Sequence, residues 1–507
     1  MFLKKYSKLF LFGFLLLFVS SFYITQYRDF FEPITTDGIR VALGAERLIE
    51  KGEIQPDYEV LGGTANVEAR GSLYPFIQIN VAILSDISGI STYHAIFLFY
   101  LIIFVILALT LYILLGRFTK SRETQIISFL LSILFLPLLR SILLTPQNLI
   151  GYLLIVTIIN LLFLVQGKKL LLLLFMIIGC MAFYHHLTLF IVLIFLFVYL
   201  ITGKHFSKLL VFFVISLAAV FLASKILLGS YDILFFVKSI FSSFFSPSEL
   251  DYFNLNTPLD FPYVLGIYQT LLGIFGALIL ALSRKKFVMG YHIAISLGFV
   301  ILFLSNILFF GIGFHPDRFL NYLFIPLALC IPLCIDFIKN IFFVKRRLIA
   351  TGLCAFIIIV SFVQNVSVSA HEQSYFGETF ILSRGELEAA EFLKKKMSDT
   401  EVVLIASRER TRKADSYARY LGNKKTLIFD EPSLASIPQK NEQSLRFDIW
   451  QMTVFPSIKN SEDLFKKYGV EFFLFPAGSK ERIAFENFSY VIILFENENV
   501  VIFAKKK

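Results

Sequence analysis

The stretch LLLLLFMIIGCMAFYHHLTLFIVLIFLFVYLIT, residues 170–202, decides how the rest of the chain is read. It is apolar almost throughout, and its one polar knot is Tyr184-His185-His186. As a single α-helix it would be about 50 Å long at ~1.5 Å per residue, too long to cross about 30 Å of hydrocarbon once. Lys168 and Lys169 precede it, and Lys204 and Lys208 follow it, so both ends belong on the same side of a membrane. A helical hairpin turning at Tyr184-His185-His186 meets both conditions, with two short helices as the consequence.

The composition agrees with that reading. Of 507 residues, 57% are hydrophobic and 60 are phenylalanine, more apolar surface than a water-soluble core of this length can hide. The pattern predicts a polytopic α-helical membrane protein with about eleven crossings. These are expected near residues 9–24, 93–115, 126–144, 149–165, 170–183, 187–201, 209–228, 263–282, 288–310, 319–337 and 348–364. The first run follows Lys4, Lys5 and Lys8 as a signal peptide would, but SSFYITQ lacks a small-x-small cleavage pattern, so it reads as a retained anchor. The four cysteines (Cys180, Cys330, Cys334 and Cys354) fall inside apolar runs without metal-ligand spacing and read as core residues.

Orientation follows from the basic residues. With the N-terminus in the cytoplasm, Arg117, Lys120, Arg122, Lys168, Lys169, Lys204, Lys208, Arg284, Lys285, Lys286, Lys339, Lys345, Arg346 and Arg347 all fall inside. The expected location is thus the plasma membrane, with external loops at about 25–92 and 229–262. The division is a transmembrane domain over 1–366 and an extracytoplasmic α/β domain over 367–507. The tail's acids and bases nearly balance, so the net charge of +10 belongs to the membrane half, and no basic stripe points to nucleic acid. In the tail, GELEAAEFLKKKM (385–397) has helical periodicity with acids early and lysines late. EVVLIA (401–406), KTLIFD (425–430), VEFFLF (470–475), YVIILF (490–495) and VVIFA (500–504) read as strands, with ENEN (496–499) as a hairpin turn.

Ionisable groups near membrane depth are costly and point to function, although each also has a structural reading. Asp37, in PITTDGIR (33–40), heads the amphipathic segment 38–52; it reads as a helix N-cap or as a catalytic carboxylate, and one residue can be both. Arg140, in FLPLLRSILLTPQN (135–148), snorkels to headgroups or clamps a lipid phosphate. His185 and His186 sit at the outer turn of the hairpin, as interfacial structural residues or phosphate ligands. Arg318, in HPDRF (315–319), pairs with Asp317, anchors to headgroups or binds phosphate. Topology assigned from lysines and hydropathy puts all five on one external face.

A carboxylate with cations at that face suits transfer of a sugar from a polyprenyl phosphate. The departing phosphate needs stabilising by Arg, His or a divalent metal such as Mg or Mn, and the incoming hydroxyl needs a base. Glu249 and Asp251, in SPSELDYF (246–253), form an acid-x-acid pair that reads as loop charge or as a weak metal candidate. The partners would be a lipid-linked sugar donor and an extracytoplasmic glycan, lipid or protein acceptor. Competing readings are a transporter or flippase of lipid-linked saccharides, a polymerase subunit, or a non-catalytic membrane scaffold. Transporters often show internal repeats and mid-bilayer charge, neither of which is visible here.

PITTDGIRVALGAERLIEKGEI (33–54) followed by ARGSLYPFIQINVAILSDISGIS (69–91) resembles the first external loop of GT-C class integral membrane glycosyltransferases. AFYHHLTLFIVLIFLFVYL (182–200), HPDRFLNYLFIPLALC (315–330), ELEAAEFL (386–393) and DLFKKYGVEFFLF (463–475) resemble segments of prokaryotic relatives in that class. The resemblance implies a GT-C-like fold, a polyprenyl-phosphate or diphosphate sugar donor, and Asp37 in the catalytic-base position. The chain also departs from the class. Its sole tryptophan is Trp450, so the WWDYG motif of oligosaccharyltransferase catalytic subunits is absent. Gly38, rather than a second acid as in protein O-mannosyltransferases, follows Asp37.

Overall fold

The computed structural model describes residues 36–52, 75–119, 121–143, 147–164, 168–184, 186–202, 265–282, 288–305, 319–342, 352, 355–364, 383–398, 401–405, 425–428, 447–448, 451–452 and 459–506. The predicted crossings at 9–24 and 209–228 lie outside them. The chain falls into two units, one of Met1–Leu16 and Leu98–Gln373 and one of Leu17–Phe97 and Ser374–Lys507.

The first unit is helical. The opening stretch is divided where the sequence places its polar interruption: α7 (Lys168–Tyr184) and α8 (His186–Thr202) are separate helices on either side of residue 185. Before it come α3 (Thr92–Leu115, which begins in the second unit), α4 (Arg122–Ile133), α5 (Leu136–Leu143) and α6 (Gln147–Leu164). After it come α9 (Ile267–Leu282), α10 (Val288–Leu304), a 3-10 turn (Asn321–Leu323) leading into α11 (Phe324–Phe342), and α12 (Ala355–Gln364). Among the described residues, two helices, Thr92–Leu115 and Asn321–Asn340, are long and apolar enough to cross a membrane by length and composition. Ile102, Ile106, Leu109 and Ile113 of α3 are exposed, while Leu107, Ala108 and Leu111 are buried. An apolar outer face is the opposite of a water-soluble surface.

The predicted crossing at 126–144 is not one helix. Pro137 lacks an N–H, and in an unbroken helix its ring would crowd the carbonyl of Ile133, four residues earlier; α4 ends at that residue and α5 starts afresh at Leu136. Ser121 caps α4, its hydroxyl accepting from the Thr124 N–H at 3.3 Å. Helices α9 and α11 pack with their backbones close. A Cβ on Gly273 would lie 2.8 Å from that of Leu327, and one on Gly276 would lie 2.0 Å from the Cys330 carbonyl oxygen. Both partner numbers rise together, so the two helices run parallel, and small residues permit the approach.

The second unit contains α1 (Thr36–Lys51), α2 (Pro75–Ser88) and a sheet domain with α13 (Arg384–Lys396), β1 (Val402–Ile405), β2 (Lys425–Ile428), α14 (Lys459–Tyr468), β3 (Val470–Pro476), α15 (Lys480–Glu486), β4 (Val491–Glu496) and β5 (Val500–Lys505). All five expected strands form one sheet in the order β2-β1-β3-β5-β4. β1 is parallel to β2 and β3, and β5 is antiparallel to β3 and β4. Both faces are covered: Ala389, Ala390 and Leu393 of α13 pack with Val403, Leu474 and Ile502 on one side, and Phe465 and Phe485 pack with Phe473 and Phe503 on the other. Near-continuous apolar strands follow from burial on both faces. Ser383 and Glu386 form a capping box at the start of α13. Asn497 orders the β4–β5 turn, its side-chain oxygen accepting from the N–H groups of Asn499 and Val500. The Asn497 amide also donates to the Gly385 carbonyl at 2.9 Å, fastening the turn to α13.

Candidate functional site

Four short pieces of chain meet at one end of the helical unit. α5 brings Ser141, the first turns of α6 bring Gly151 and Tyr152, the start of α8 brings Thr188, and the 3-10 turn brings Tyr322. All five are buried. The Ser141 hydroxyl donates to the Tyr152 oxygen at 3.3 Å, and the Thr188 and Tyr322 hydroxyls are 2.8 Å apart. The Tyr152 ring stands edge-on to those of Tyr322 and Phe324, with centroids 4.9 Å away in each case. A Cβ on Gly151 would lie 2.3 Å from the Thr188 hydroxyl and 2.7 Å from that of Tyr322, so the hydroxyl pair needs glycine at this place.

This polar knot gives the sequence candidates a frame. Arg140 precedes Ser141 in α5, and His186 opens α8 two residues before Thr188. Phe319, buried and 6.2 Å from Phe190 between ring centroids, directly follows Arg318. The described residues therefore include the chain beside each cationic candidate, although the side chains of Arg140 and His186, and all of His185 and Arg318, lie outside them. Glu249 and Asp251 also lie outside. Among the described residues no group of three His, Cys, Asp or Glu could hold a metal ion, so they offer a divalent metal no ligand set.

Asp37 is the second residue of α1, in the other unit. α1 packs on α2, where a Cβ on Gly44 would lie 2.2 Å from the Gln78 amide nitrogen, so the Gln78 side chain occupies the space that glycine leaves. Val41, Ala42 and Ala45 bury the apolar face expected of the amphipathic segment. α2 itself lies in the long loop expected at 25–92, and its apolar PFIQINVAIL was not resolved there into a separate helix.

At the opposite end of α11 a second buried network joins α4. Asp336 accepts from Thr119 at 2.8 Å and from Thr124 at 2.6 Å, while Lys339 donates to Thr124 at 3.2 Å and lies 3.2 Å from Glu123. Sequence reading missed both networks. A hydroxyl in an apolar helix carries no local mark of its partner, yet each of Thr188 and Tyr322 lies within about a turn of a flagged histidine or arginine.

In the sheet domain, Lys467 and Tyr468 both donate to one Asp448 oxygen at 2.7 Å. The bond to Asp448, then that to Tyr468, pushes the Lys467 amine up; burial, then the Asp448 bond, pushes the Tyr468 phenol up. A well-paired trio of this kind is a structural tie with no strained or vacant group.

No family model and no curated protein matches the chain. Solved structures do. The chain resembles the crystal structure of the Archaeoglobus fulgidus oligosaccharyltransferase in complex with Zn and sulfate, at 13% identity and a TM-score of 0.58. The match covers 88% of this chain and 64% of that one. The likeness extends over both units and shows a helix-dominated fold of the kind that oligosaccharyltransferase has.

Proposed function

We propose that this protein is a membrane-embedded glycosyltransferase that moves a sugar from a polyprenyl-phosphate-linked donor to an extracytoplasmic acceptor. The observation that supports the reading is the polar knot of Ser141, Tyr152, Thr188 and Tyr322, of which Ser141, Thr188 and Tyr322 lie one to four residues along the chain from Arg140, His186 and Arg318 in an oligosaccharyltransferase-like fold. In the reaction, the acceptor hydroxyl gives its proton to the Asp37 carboxylate as its oxygen bonds to the anomeric carbon. The bond from that carbon to the phosphate oxygen breaks, and its electron pair leaves with the lipid phosphate. Arg140, His185, His186 and Arg318 hold the phosphate and stabilise the charge that builds there. The proposal places the N-terminus in the cytoplasm and the sheet domain outside, following the lysine-rich turns.

The test is transfer from lipid-linked hexose donors by the full chain in proteoliposomes. Asp37→Asn keeps the size of the side chain but removes the base, and the expected loss is about 10²–10⁴-fold. Wild-type-like transfer by a folded Asp37→Asn protein removes the catalytic assignment. No transfer by wild type from any donor favours carriage of lipid-linked saccharides over their chemistry.

A further inference from the structure

Gln269 and Thr270 occupy the first turn of α9 and are fully buried. Among the described residues, neither the oxygen nor the nitrogen of the Gln269 amide has a hydrogen-bond partner, and neither does the Thr270 hydroxyl. The Asn321 side-chain oxygen, in the turn that opens α11, is likewise without one among them. Buried side-chain polar groups are nearly always paired, so several vacancies in one place need a reason.

They are in one place because of how α9 and α11 run. The close approaches of Gly273 to Leu327 and of Gly276 to Cys330 fix a parallel register, and carrying it back one turn sets Gln269 level with Leu323 and Thr270 level with Phe324. Asn321 lies just beyond in the same turn as Tyr322, whose hydroxyl meets Thr188. The unpaired groups thus share the end of the helical unit where the polar knot sits. Gly266, at φ 99°, breaks the chain directly before α9, which delivers these side chains at the helix start instead of mid-span.

The chemistry of the vacancies selects a ligand. A phosphate only accepts and would leave the Gln269 and Asn321 oxygens unmet; a cation takes only acceptors and would leave the Gln269 amide hydrogens unmet. A prenyl chain meets none of them. Hydroxyl groups both donate and accept, and a ring bearing several can serve an amide, a hydroxyl and a carbonyl oxygen together. We infer that Gln269, Thr270 and Asn321 form a recognition site for saccharide hydroxyls, separate from the groups assigned to the donor phosphate. The inference rests on the glycosyltransferase reading and adds to it where the sugar is held.

The full-length protein in lipid nanodiscs gives the test, with thermal unfolding measured against two probes: a bare short-chain prenyl phosphate, and the same lipid phosphate carrying glucose, mannose or galactose. Wild type is expected to be stabilised more by at least one hexosyl form than by the bare lipid. Gln269→Leu and Thr270→Val should each raise the melting temperature without ligand, because an unmet polar group has been removed from the interior. Each should keep the response to bare lipid phosphate and lose the sugar-dependent excess, with affinity for the hexosyl form about tenfold weaker.

Retention of the excess by both variants overturns the site. A lowered melting temperature with the excess intact also overturns it and identifies an internal water position. Thr270→Val carries the test if Gln269→Leu does not fold. Sugar transfer by wild type with no hexose-dependent excess discards this site and leaves the glycosyltransferase reading standing; neither transfer nor any shift discards both.

Discussion

The two units handle their polar groups in opposite ways. In the sheet domain, most of the hydrogen bonds that cap helices and order turns close over short sequence distances, as Ser383 with Glu386 and Asn497 with Asn499 and Val500 do, and the Asn497–Gly385 tie is the long-range exception among those named. In the helical unit the decisive bonds span the chain, joining Thr188 to Tyr322 and Thr124 to Asp336. The apolar groups are reversed as well. Val403, Phe473 and Ile502 are buried between helices, whereas isoleucines of α3 face outward. A unit that hides its apolar groups from water needs polar residues mainly to end helices and turn strands. The helical unit, with apolar side chains on its outside as well as inside, uses scarce polar pairs and close glycine contacts to say which helix meets which.

The contrast breaks most severely at Asp336. Asp336→Ala removes two charge-assisted bonds, those from Thr119 and Thr124, and so loosens the buried Thr124 hydroxyl to which Lys339, 8% exposed, donates. The expected cost is about 3 kcal/mol. Because the two units need not unfold together, residue-resolved hydrogen exchange is the measurement of choice. Protection of α4 and α11 should fall about a hundredfold while β1, β3 and β5 are unchanged. An equal loss in both units would show that the sheet domain depends on the helical one.

Gly151→Ala is next. Its Cβ would meet both hydroxyls of the Thr188–Tyr322 pair, and overpacking of this kind costs about 1–3 kcal/mol. Exchange should quicken at the starts of α6 and α8, and Thr188→Ala in the same chain should restore part of the loss by making room. An additive double variant would mean that the pair is not what the glycine accommodates.

What the sequence made legible divides along the same line. The five strands, α13 with its early acids and late lysines, and the turn at 496–499 could be read because their causes lie within a few residues. The division of 170–202 into two helices was equally readable, since the run is too long for one crossing and Tyr184-His185-His186 is its one polar interruption. The break at Leu134–Phe135 was missed although Pro137 marks it, because hydropathy alone runs through a proline. Gln269 gave no warning at all. One glutamine near the start of an apolar segment looks like an interfacial residue, and only the register of α9 on α11 brings it level with the turn holding Asn321.

Ser383→Ala probes the local side of the comparison. It removes the oxygen that accepts from the Glu386 N–H and one side of the capping box, at an expected cost of about 1 kcal/mol. Exchange should quicken in the first turn of α13, with the β4–β5 turn following because Asn497 is tied to Gly385. The helical unit should not respond.

The smallest expected effect is a matter of pH, and it separates the units by solvent access. Burial, with a further push from the Glu462 carboxylate, raises the Tyr490 phenol to about 12 from its ordinary 10.0. Below the ordinary value the phenol is protonated in both folded and unfolded chains, and its contribution is fully present. As pH climbs from there toward the folded value, the unfolded chain gives up its proton first, and the stability is lost. Half-exposure of the ring keeps the amount modest. Thermal unfolding of the sheet domain should therefore weaken across that alkaline window, and Tyr490→Phe should flatten the part of the slope due to this residue. The neighbouring Lys467 and Tyr468, also raised, supply the slope that remains in the variant. A variant with an unchanged profile would place the whole alkaline response on the Asp448 trio, making that tie the pH-sensitive point of the domain.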